Sequence, residues 1–485
     1  MPTDRIRERV REKYQGKKII ILGFGREGRS TYAFLRKHLP EQTFHIMDRD
    51  PEQAAASLPP GEGHAVVVPA GDYLVFPEDA DYIFKTPGIP GKLLDSHGAK
   101  GERTSQMDEF LRLLGEKVVG VTGTKGKSTT ATLLHKTLQA YGFRTELAGN
   151  IGRPVLDLVE EAGSVDWFVA EMSSHQLEET RHSPAMAILL NVFEEHLDHY
   201  RSYGHYVGAK LNIARFQKEQ DCLVYGCDSR TLKEHLEPLQ PSLAGRMLAF
   251  GRRENNSLDA DGVFLEKDGS IRLRLGGGER ELFGEAPPSP LPGIHSLLNS
   301  LAVLAILQAM GLEDPEPFRK TLERFEGLEH RLELVGEYGG IRFYNDSIST
   351  IPQATLCAVE AIPGVETVLL GGMDRGVDYG VLEAFILERA DLKWICLPET
   401  GHAIADRLLK LHPQAGDRIR KVGDLGEGVA LAYGWTTAGK ACLLSPAAAS
   451  YNTFKDFTER GNFFKAKVRE LGSKEPDSSG KEGSD

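Results

Sequence analysis

Cysteine is scarce: 5 of 485 residues (Cys222, Cys227, Cys357, Cys396 and Cys442), with no pair at metal-ligand spacing. That excludes a disulfide framework and a structural zinc site, and leaves five thiols expected to be mostly buried. Long apolar runs are missing too, since nothing approaches the ~18 residues a membrane-spanning helix needs. The start, Met1-Pro-Thr-Asp-Arg-Ile-Arg-Glu-Arg9, lacks the apolar core of a signal peptide. A cytoplasmic protein with no membrane partner is therefore expected. Positive charge is in deficit: 58 Lys and Arg against 70 Asp and Glu give a net charge of −12. This speaks against nucleic acid as a partner while leaving room for a local basic site.

The chain has 40% hydrophobic and 26% charged residues, a globular composition. Its length exceeds one ordinary core and calls for two or three domains, with three favoured. The most informative stretch runs from Glu116 to Thr130: an apolar run (Val118, Val119, Val121), a glycine turn (Gly123, Gly126), then Lys127 and Ser128 at a helix start. Exposed N–H groups and the helix dipole at such a turn suit phosphate. Lys127 would reach the β/γ-phosphates and Ser128 would ligate Mg²⁺. The full pattern G-x-x-x-x-G-K-[ST] is not met, because Val121 stands where its first glycine belongs. Taken alone, Gly-Lys-Ser could be only a turn into a helix.

Strands alternating with helices and Gly-rich strand ends predict α/β architecture with doubly wound sheets. Lys18–Leu22, the turn Gly23-Phe-Gly25-Arg-Glu-Gly28, a helix through Leu35 and a strand ending at Asp48 read as a diphosphate-binding unit. UDP-sugars fit it as well as NAD does. After the glycine-rich turn at Gly126, the acidic Glu171 closes the strand Trp167–Ala170, where a second Mg²⁺ ligand belongs, although a helix-start carboxylate would look the same. His196 and Asp198 lie in a polar cluster after the strand Ala185–Leu190, positioned to face metal or substrate. Residues 252–290 suggest a small antiparallel excursion, His295–Met310 a helix, and Ile341–Tyr344, Thr367–Leu370, Trp394–Leu397 and Ala441–Leu444 a third set of strands. The expected boundaries are 1–104, 105–327 and 328–471, followed by a disordered tail at 472–485 that is free of apolar residues.

In this order the pieces resemble the Mur ligase family, in its glutamate-adding branch. The resemblance rests on Thr122-Gly-Thr-Lys-Gly-Lys-Ser-Thr-Thr130, Glu171-Met-Ser-Ser-His-Gln-Leu-Glu178, Asn191-Val-Phe-Glu-Glu-His-Leu-Asp198, Glu329-His-Arg-Leu-Glu333, Asn345-Asp-Ser347 and Leu443-Leu-Ser-Pro-Ala-Ala-Ala-Ser450. It spans nearly the whole chain, and the family's shortened P-loop accounts for Val121. It implies a UDP-binding Rossmann-like domain, a central ATPase-type domain and a Rossmann-like third domain. The implied reaction is ATP-dependent joining of glutamate to UDP-N-acetylmuramoyl-L-alanine through an acyl phosphate, in peptidoglycan precursor synthesis, by a monomer.

The resemblance also implies roles. Gly123, Thr124, Lys125, Gly126, Lys127, Ser128, Thr129, Asn299, Arg331 and Asp346 would bind ATP. Gly25, Arg26, Glu27, Asp48, Arg49, Thr86, Asn150 and His196 would bind the UDP-substrate, while Thr350, Arg375, Ser450, Tyr451 and Phe457 would hold glutamate. Lys127, Glu171, His196 and Lys210 would be catalytic. Two Mg²⁺ would rest on Ser128, Glu171, His196 and Lys210, the last as a carbamate; without the resemblance Lys210 reads as a surface lysine. Two positions depart from the pattern. Ile348 replaces an active-site lysine, which makes L-glutamate the alternative to the D enantiomer. Ser296 replaces a nucleotide-contacting asparagine, a loss that Asn299 could offset. An NAD-dependent oxidoreductase would leave the phosphate loop unexplained. A different Mur or folylpolyglutamate-type ligase lacks the paired Asn-Asp-Ser and Leu-Leu-Ser-Pro motifs. A nucleotide-sensing scaffold would not need Lys127, Glu171, His196 and Lys210 together.

Overall fold

Short all-apolar runs form strands here because alternate side chains on each strand enter cores on opposite faces of a sheet. Ile19 and Ile21 pack into one core and Ile20 and Leu22 into another, all four fully buried. The computed structural model describes residues 3–473 apart from 70, 72, 196–198, 257–259 and 292. Within these, the strands fall into three sheets of five, nine and six.

The first sheet contains Ile19–Leu22 (β1), Phe44–Met47 (β2), Ala65–Val67 (β3), Tyr82–Lys85 (β4) and Glu102–Thr104 (β5), all parallel in the order β3-β2-β1-β4-β5. The second runs Val118–Thr122 (β6), Thr145–Gly149 (β7), Trp167–Glu171 (β8), Met186–Leu189 (β9), Cys222–Gly226 (β10), Arg246–Arg252 (β11), Gly262–Leu265 (β12), Ile271–Leu275 (β13) and Gly278–Phe283 (β14). Its order is β14-β13-β12-β11-β10-β9-β6-β8-β7, so the winding reverses beside β6, the place where a parallel sheet opens a crevice for ligand. The expected antiparallel excursion is real, but it is an extension of this sheet: β12 pairs parallel with β11, and β13 and β14 then fold back. The third sheet contains Glu333–Tyr338 (β15), Ile341–Asn345 (β16), Val365–Gly372 (β17), Lys393–Glu399 (β18), Ile419–Lys421 (β19) and Ala441–Leu444 (β20), in the order β15-β16-β20-β17-β18-β19. Only β15 runs antiparallel to its neighbour.

Met1–Ser289 with Ile294–Phe325 form one compact unit, holding the first two sheets, and the chain from Glu326 on, with Pro290–Gly293, forms another around the third. Inside the first unit, the helix Arg26–His38 is bonded to the central sheet's surroundings. Arg26 donates to Gly149 O (3.5 Å), Gln176 Nε2 to Glu27 Oε1 (2.8 Å), Gln106 Nε2 to Glu27 O (3.1 Å) and Ser30 Oγ to Asp157 Oδ1 (2.6 Å). The last helix runs Phe457–Gly472, one residue into the expected tail; residues 474–485 lie outside the described residues. Among the described residues no helix is long and apolar enough to cross a membrane.

Candidate active site

Strand β6 ends at Thr122, and the chain turns through Gly123 (φ 156°) and Gly126 (φ 87°) into the helix Lys127–Ala140. Glycine is required at Gly126 twice over: its φ lies in the left-handed region, and a Cβ there would sit 2.6 Å from Asn299 Oδ1. Asn299, on the helix Ile294–Ala309, thus meets the phosphate loop directly. The loop is also held from β9's end. Thr124 N donates to Asn191 O (2.9 Å), Lys125 N to Asn191 Oδ1 (2.9 Å), and Asn191 Nδ2 to Lys125 O (3.1 Å). Thr124 Oγ1 pairs with Tyr206 Oη at 2.8 Å, and Lys125 forms an ion pair with Glu195 at 2.6 Å. In the sequence Asn191 is one member of a motif with no evident task of its own; two residues before Phe193, its amide clamps the loop.

Beside the loop lies a cavity of about 470 Å³, walled by Leu190, Phe193, Phe250, Ile294 and Leu298 with Lys125, Asn191 and Asn299 at its polar edge. An apolar slot next to an anion-binding turn suits a flat heteroaromatic base. Phe193, half exposed, was the signal in the sequence: an aromatic within a run of polar residues.

Two ammonium groups converge on one carbonyl. Lys127 Nζ donates to Gly123 O (3.0 Å) and Thr124 O (2.9 Å), and Lys210 Nζ donates to Gly123 O at 2.8 Å. Lys210 is 2% exposed, on the helix Tyr203–Arg215, which corrects the surface reading. Burial, reinforced by the Lys127 charge, pushes its amine down to about 7. Glu171, 1% exposed at the end of β8, accepts from Asn150 Nδ2 through Oε1 (2.7 Å), whereas nothing among the described residues donates to its buried Oε2. A buried carboxylate oxygen without a donor is a fitting partner for a hard cation, and Ser128, buried on the first turn of the helix Lys127–Ala140, offers a hydroxyl of the same chemistry. No three His, Cys, Asp or Glu among the described residues gather at metal-binding spacing. His196 and Asp198 lie outside the described residues.

The glycine turn after β1 is built as expected. A Cβ on Gly23 would strike Thr86 Oγ1 at 2.1 Å, and one on Gly28 would strike Gly23 O at 2.0 Å. Asp48 braces this turn, accepting from Phe24 N (2.5 Å) and Asp50 N (2.9 Å). Gly25 caps the following helix, Arg26 reaches Gly149 beside Asn150, and Arg49 follows Asp48 at the end of β2. Glu27 is half-buried and turned toward Gln176.

In the second unit, Asp346, Thr350, Arg375, Ser450 and Tyr451 lie on loops at one end of the third sheet, and Phe457 opens the helix Phe457–Gly472. Asn345↔Leu444 sets the register of two of these loops, a Met373↔Ala449 bridge ties the third, and Ser347 Oγ donates to Phe457 O (2.8 Å). Arg375 and Tyr451 are exposed, whereas Ser450 is buried. Arg331 is exposed and follows His330, whose φ of 63° is unusual for a residue with a side chain. The residues expected around ATP are thus divided: those from Gly123 to Thr129 and Asn299 belong to the first unit, Arg331 and Asp346 to the second.

Asp346 is 2% exposed, accepting from Ser349 Oγ (2.5 Å), Ser445 Oγ (2.8 Å) and Leu332 N (3.3 Å). Burial outweighs these bonds and pushes its carboxyl up to about 6. A carboxyl that holds its proton more tightly when folded favours the fold at low pH, and that advantage is lost as pH climbs from about 4 to about 6. For Asp346→Asn we therefore expect a melting temperature that gains on wild type across this window, equivalent to about 2 kcal/mol between pH 4 and pH 7.5. A constant difference at all pH values would contradict it.

Comparison with known proteins agrees with this geometry. Residues 121–307 match the Mur ligase middle domain. The chain is 34% identical over 468 residues to a UDP-N-acetylmuramoylalanine–D-glutamate ligase of Geobacter metallireducens, covering 95% of this chain and 99% of that one. It is 32% identical over 470 residues to the enzyme of that name from Acetivibrio thermocellus, covering 95% and 98%. The chain belongs to the Mur ligase family, on the branch of these D-glutamate ligases. Solved Mur ligases share the fold at lower identity. MurF from Acinetobacter baumannii aligns over 97% of this ligase and 99% of its own chain with a TM-score of 0.57 at 16% identity. MurF from Thermotoga maritima, solved in complex with ADP, gives 0.53 at 16% over 95% and 97%. The ligase is thus of the three-domain α/β Mur type, with the phosphate loop in the domain that the family model matches.

Proposed function

We propose that this Mur ligase joins D-glutamate to UDP-N-acetylmuramoyl-L-alanine at the expense of ATP, in cytoplasmic peptidoglycan precursor synthesis, acting as a monomer. The observation that carries the reading is the convergence of Lys127, Lys210 and the donorless Glu171 Oε2 around one glycine turn at the sheet's reversal point. A carboxylate is a poor electrophile. Transfer of the γ-phosphoryl to it gives an acyl phosphate, the glutamate amine attacks that carbonyl, and phosphate departs from the tetrahedral intermediate.

Lys127 and the N–H groups from Gly123 to Thr129 would cradle the phosphates, with Asn299 toward the base and Arg331 and Asp346 contributing from the second unit. Ser128, Glu171, His196 and Lys210 as its carbamate would hold two Mg²⁺. Bound there, Mg²⁺ would neutralise charge that builds on the transferring phosphoryl group. Gly25, Arg26, Glu27, Asp48 and Arg49 would take the uridine diphosphate, with Thr86, Asn150 and His196 along the muramoyl path. Thr350, Arg375, Ser450, Tyr451 and Phe457 would orient glutamate, and Arg375 is suited to pair with a carboxylate. The functional division follows residues 1–104, 105–327 and 328–471.

Purified protein with UDP-N-acetylmuramoyl-L-alanine, ATP and either enantiomer of glutamate tests the proposal through phosphate release. Release that requires all three substrates and favours D-glutamate by at least tenfold is expected. Preference for L-glutamate would assign Ile348 the choice of enantiomer, and no release with either would overturn the reading.

A further inference from the structure

Two buried cations of this protein have an acid beside them: Lys85 meets Glu178 at 2.8 Å and Lys465 meets Glu333 at 2.9 Å, while Lys210 faces the phosphate loop. Arg460 differs. It lies on the first turn of the helix Phe457–Gly472 and is 2% exposed. Among the described residues its guanidinium donates only to neutral oxygens: Nε to Ser347 Oγ (3.0 Å), Nη2 to Ser347 O (2.8 Å) and Nη1 to Ala448 O (3.0 Å). Among the described residues no carboxylate pairs with it, and burial alone lowers its affinity for the proton, to about 10. A buried guanidinium remains charged, and a charge left uncompensated in an interior costs several kcal/mol.

The surroundings show where compensation would come from. Ser347 and Ala448 stand on the loops after β16 and β20, neighbouring strands, at the end of the sheet where parallel strands receive ligands. Gly372, at the end of β17, closes the third side: a Cβ there would lie 3.1 Å from Nη1 and 2.2 Å from Ala449 O. Three strand ends thus seat one cation. Ser450, two residues beyond Ala448, and Thr350, three beyond Ser347, are the residues assigned above to glutamate, and Phe457 is one helical turn from Arg460.

We propose that Arg460 is a positioning and specificity-determining residue for the amino-acid substrate, an internal cation whose counter-charge is the carboxylate of the incoming glutamate. Its three bonds hold the two loops in register, and its charge, in a medium that screens poorly, favours a dianionic side chain and backbone pair over neutral amines. The proposal rests on the reading that this unit receives glutamate.

The test pairs Arg460→Gln, which removes the charge and keeps hydrogen-bond donors, with Arg460→Lys, which keeps the charge and loses the fork. For Arg460→Gln we expect a KM for glutamate raised about tenfold or more with the KM for ATP within about twofold, and for Arg460→Lys a glutamate KM within about threefold of wild type. Equal losses in both variants, or equal rises in the KM values of glutamate and ATP, would mean a merely structural role and overturn the proposal. If Arg460→Gln does not fold, as judged by thermal melting, Arg460→Lys decides alone: a glutamate KM within threefold supports the role of charge, and a tenfold rise overturns it. An inactive wild type would instead overturn the functional reading and this proposal together, whereas an active wild type with unaltered variants overturns this proposal only.

Discussion

Alanine at Lys127 is expected to lower phosphate release by roughly 10³-fold while binding of the UDP-linked substrate stays within about twofold. The ammonium group rests on Gly123 O and Thr124 O, inside the turn that would wrap the phosphates, so the same group holds the loop's shape and presents charge to it. In phosphoryl transfer there is little covalent work for a protein to do, and positioning with electrostatic stabilisation carries most of the rate. The contacts proposed here for the uridine diphosphate cluster on a different sheet, around Gly23 and Asp48 with Thr86 beside them, and do not need this lysine. Single-turnover phosphate release and calorimetric titration of the UDP-substrate separate the two effects. A variant with near-normal release would remove the phosphate-loop assignment, and one that fails to bind the UDP-substrate would show that the two sheets are not independent.

A comparable loss, about 10²-fold or more, is expected on depleting CO₂ and bicarbonate at pH 8, with recovery when bicarbonate is restored. Lys210 is the reason. Its amine, held at about 7, is largely neutral at that pH and can add to CO₂, giving a carbamate and releasing one proton. An ordinary lysine near 10.4 would stay protonated and unreactive. Lys210→Arg, permanently cationic, should be inactive with or without bicarbonate. Carbon-13 bicarbonate should give the wild-type protein a carbamate resonance that the arginine variant lacks. Full activity in CO₂-depleted buffer, with no such resonance, would return Lys210 to the role of a simple cation beside the phosphates.

Most of the framework could be read before any coordinates. Ile19–Leu22, Val118–Thr122 and Ala441–Leu444 announce themselves because strands buried on both faces tolerate only apolar residues. Glu102–Thr104 and Ile419–Lys421 are not legible because a three-residue edge strand with two charged residues carries no periodic signal, and its place is set by the neighbour it pairs with. The phosphate loop was legible as a local pattern. Its clamp, Asn191, was not, because the partner lies 66 residues away. Arg460 illustrates the limit: Phe457-Thr-Glu-Arg-Gly-Asn462 reads as a solvated first turn, yet the loops that bury its guanidinium arrive from 113 and 12 residues away. Lys210 is the inverse case: without the family resemblance it reads as a surface lysine, and its burial shows only in the packing around Gly123.

The four hydrogen bonds that fasten the helix Arg26–His38 to Gly149, Gln176, Gln106 and Asp157 set a length. With the diphosphate at the Gly23 turn and the reacting carboxylate near Glu171, as proposed above, they would hold the two ends of the substrate a set distance apart, and the first unit would work as a calliper. A sugar nucleotide whose reactive carboxylate sits too near its diphosphate, or too far from it, would then occupy one jaw without reaching the other. Selection among precursors of different length would then need no dedicated contact along the sugar, and loosening Glu27 from Gln176 would blur the measurement before it weakened the grip.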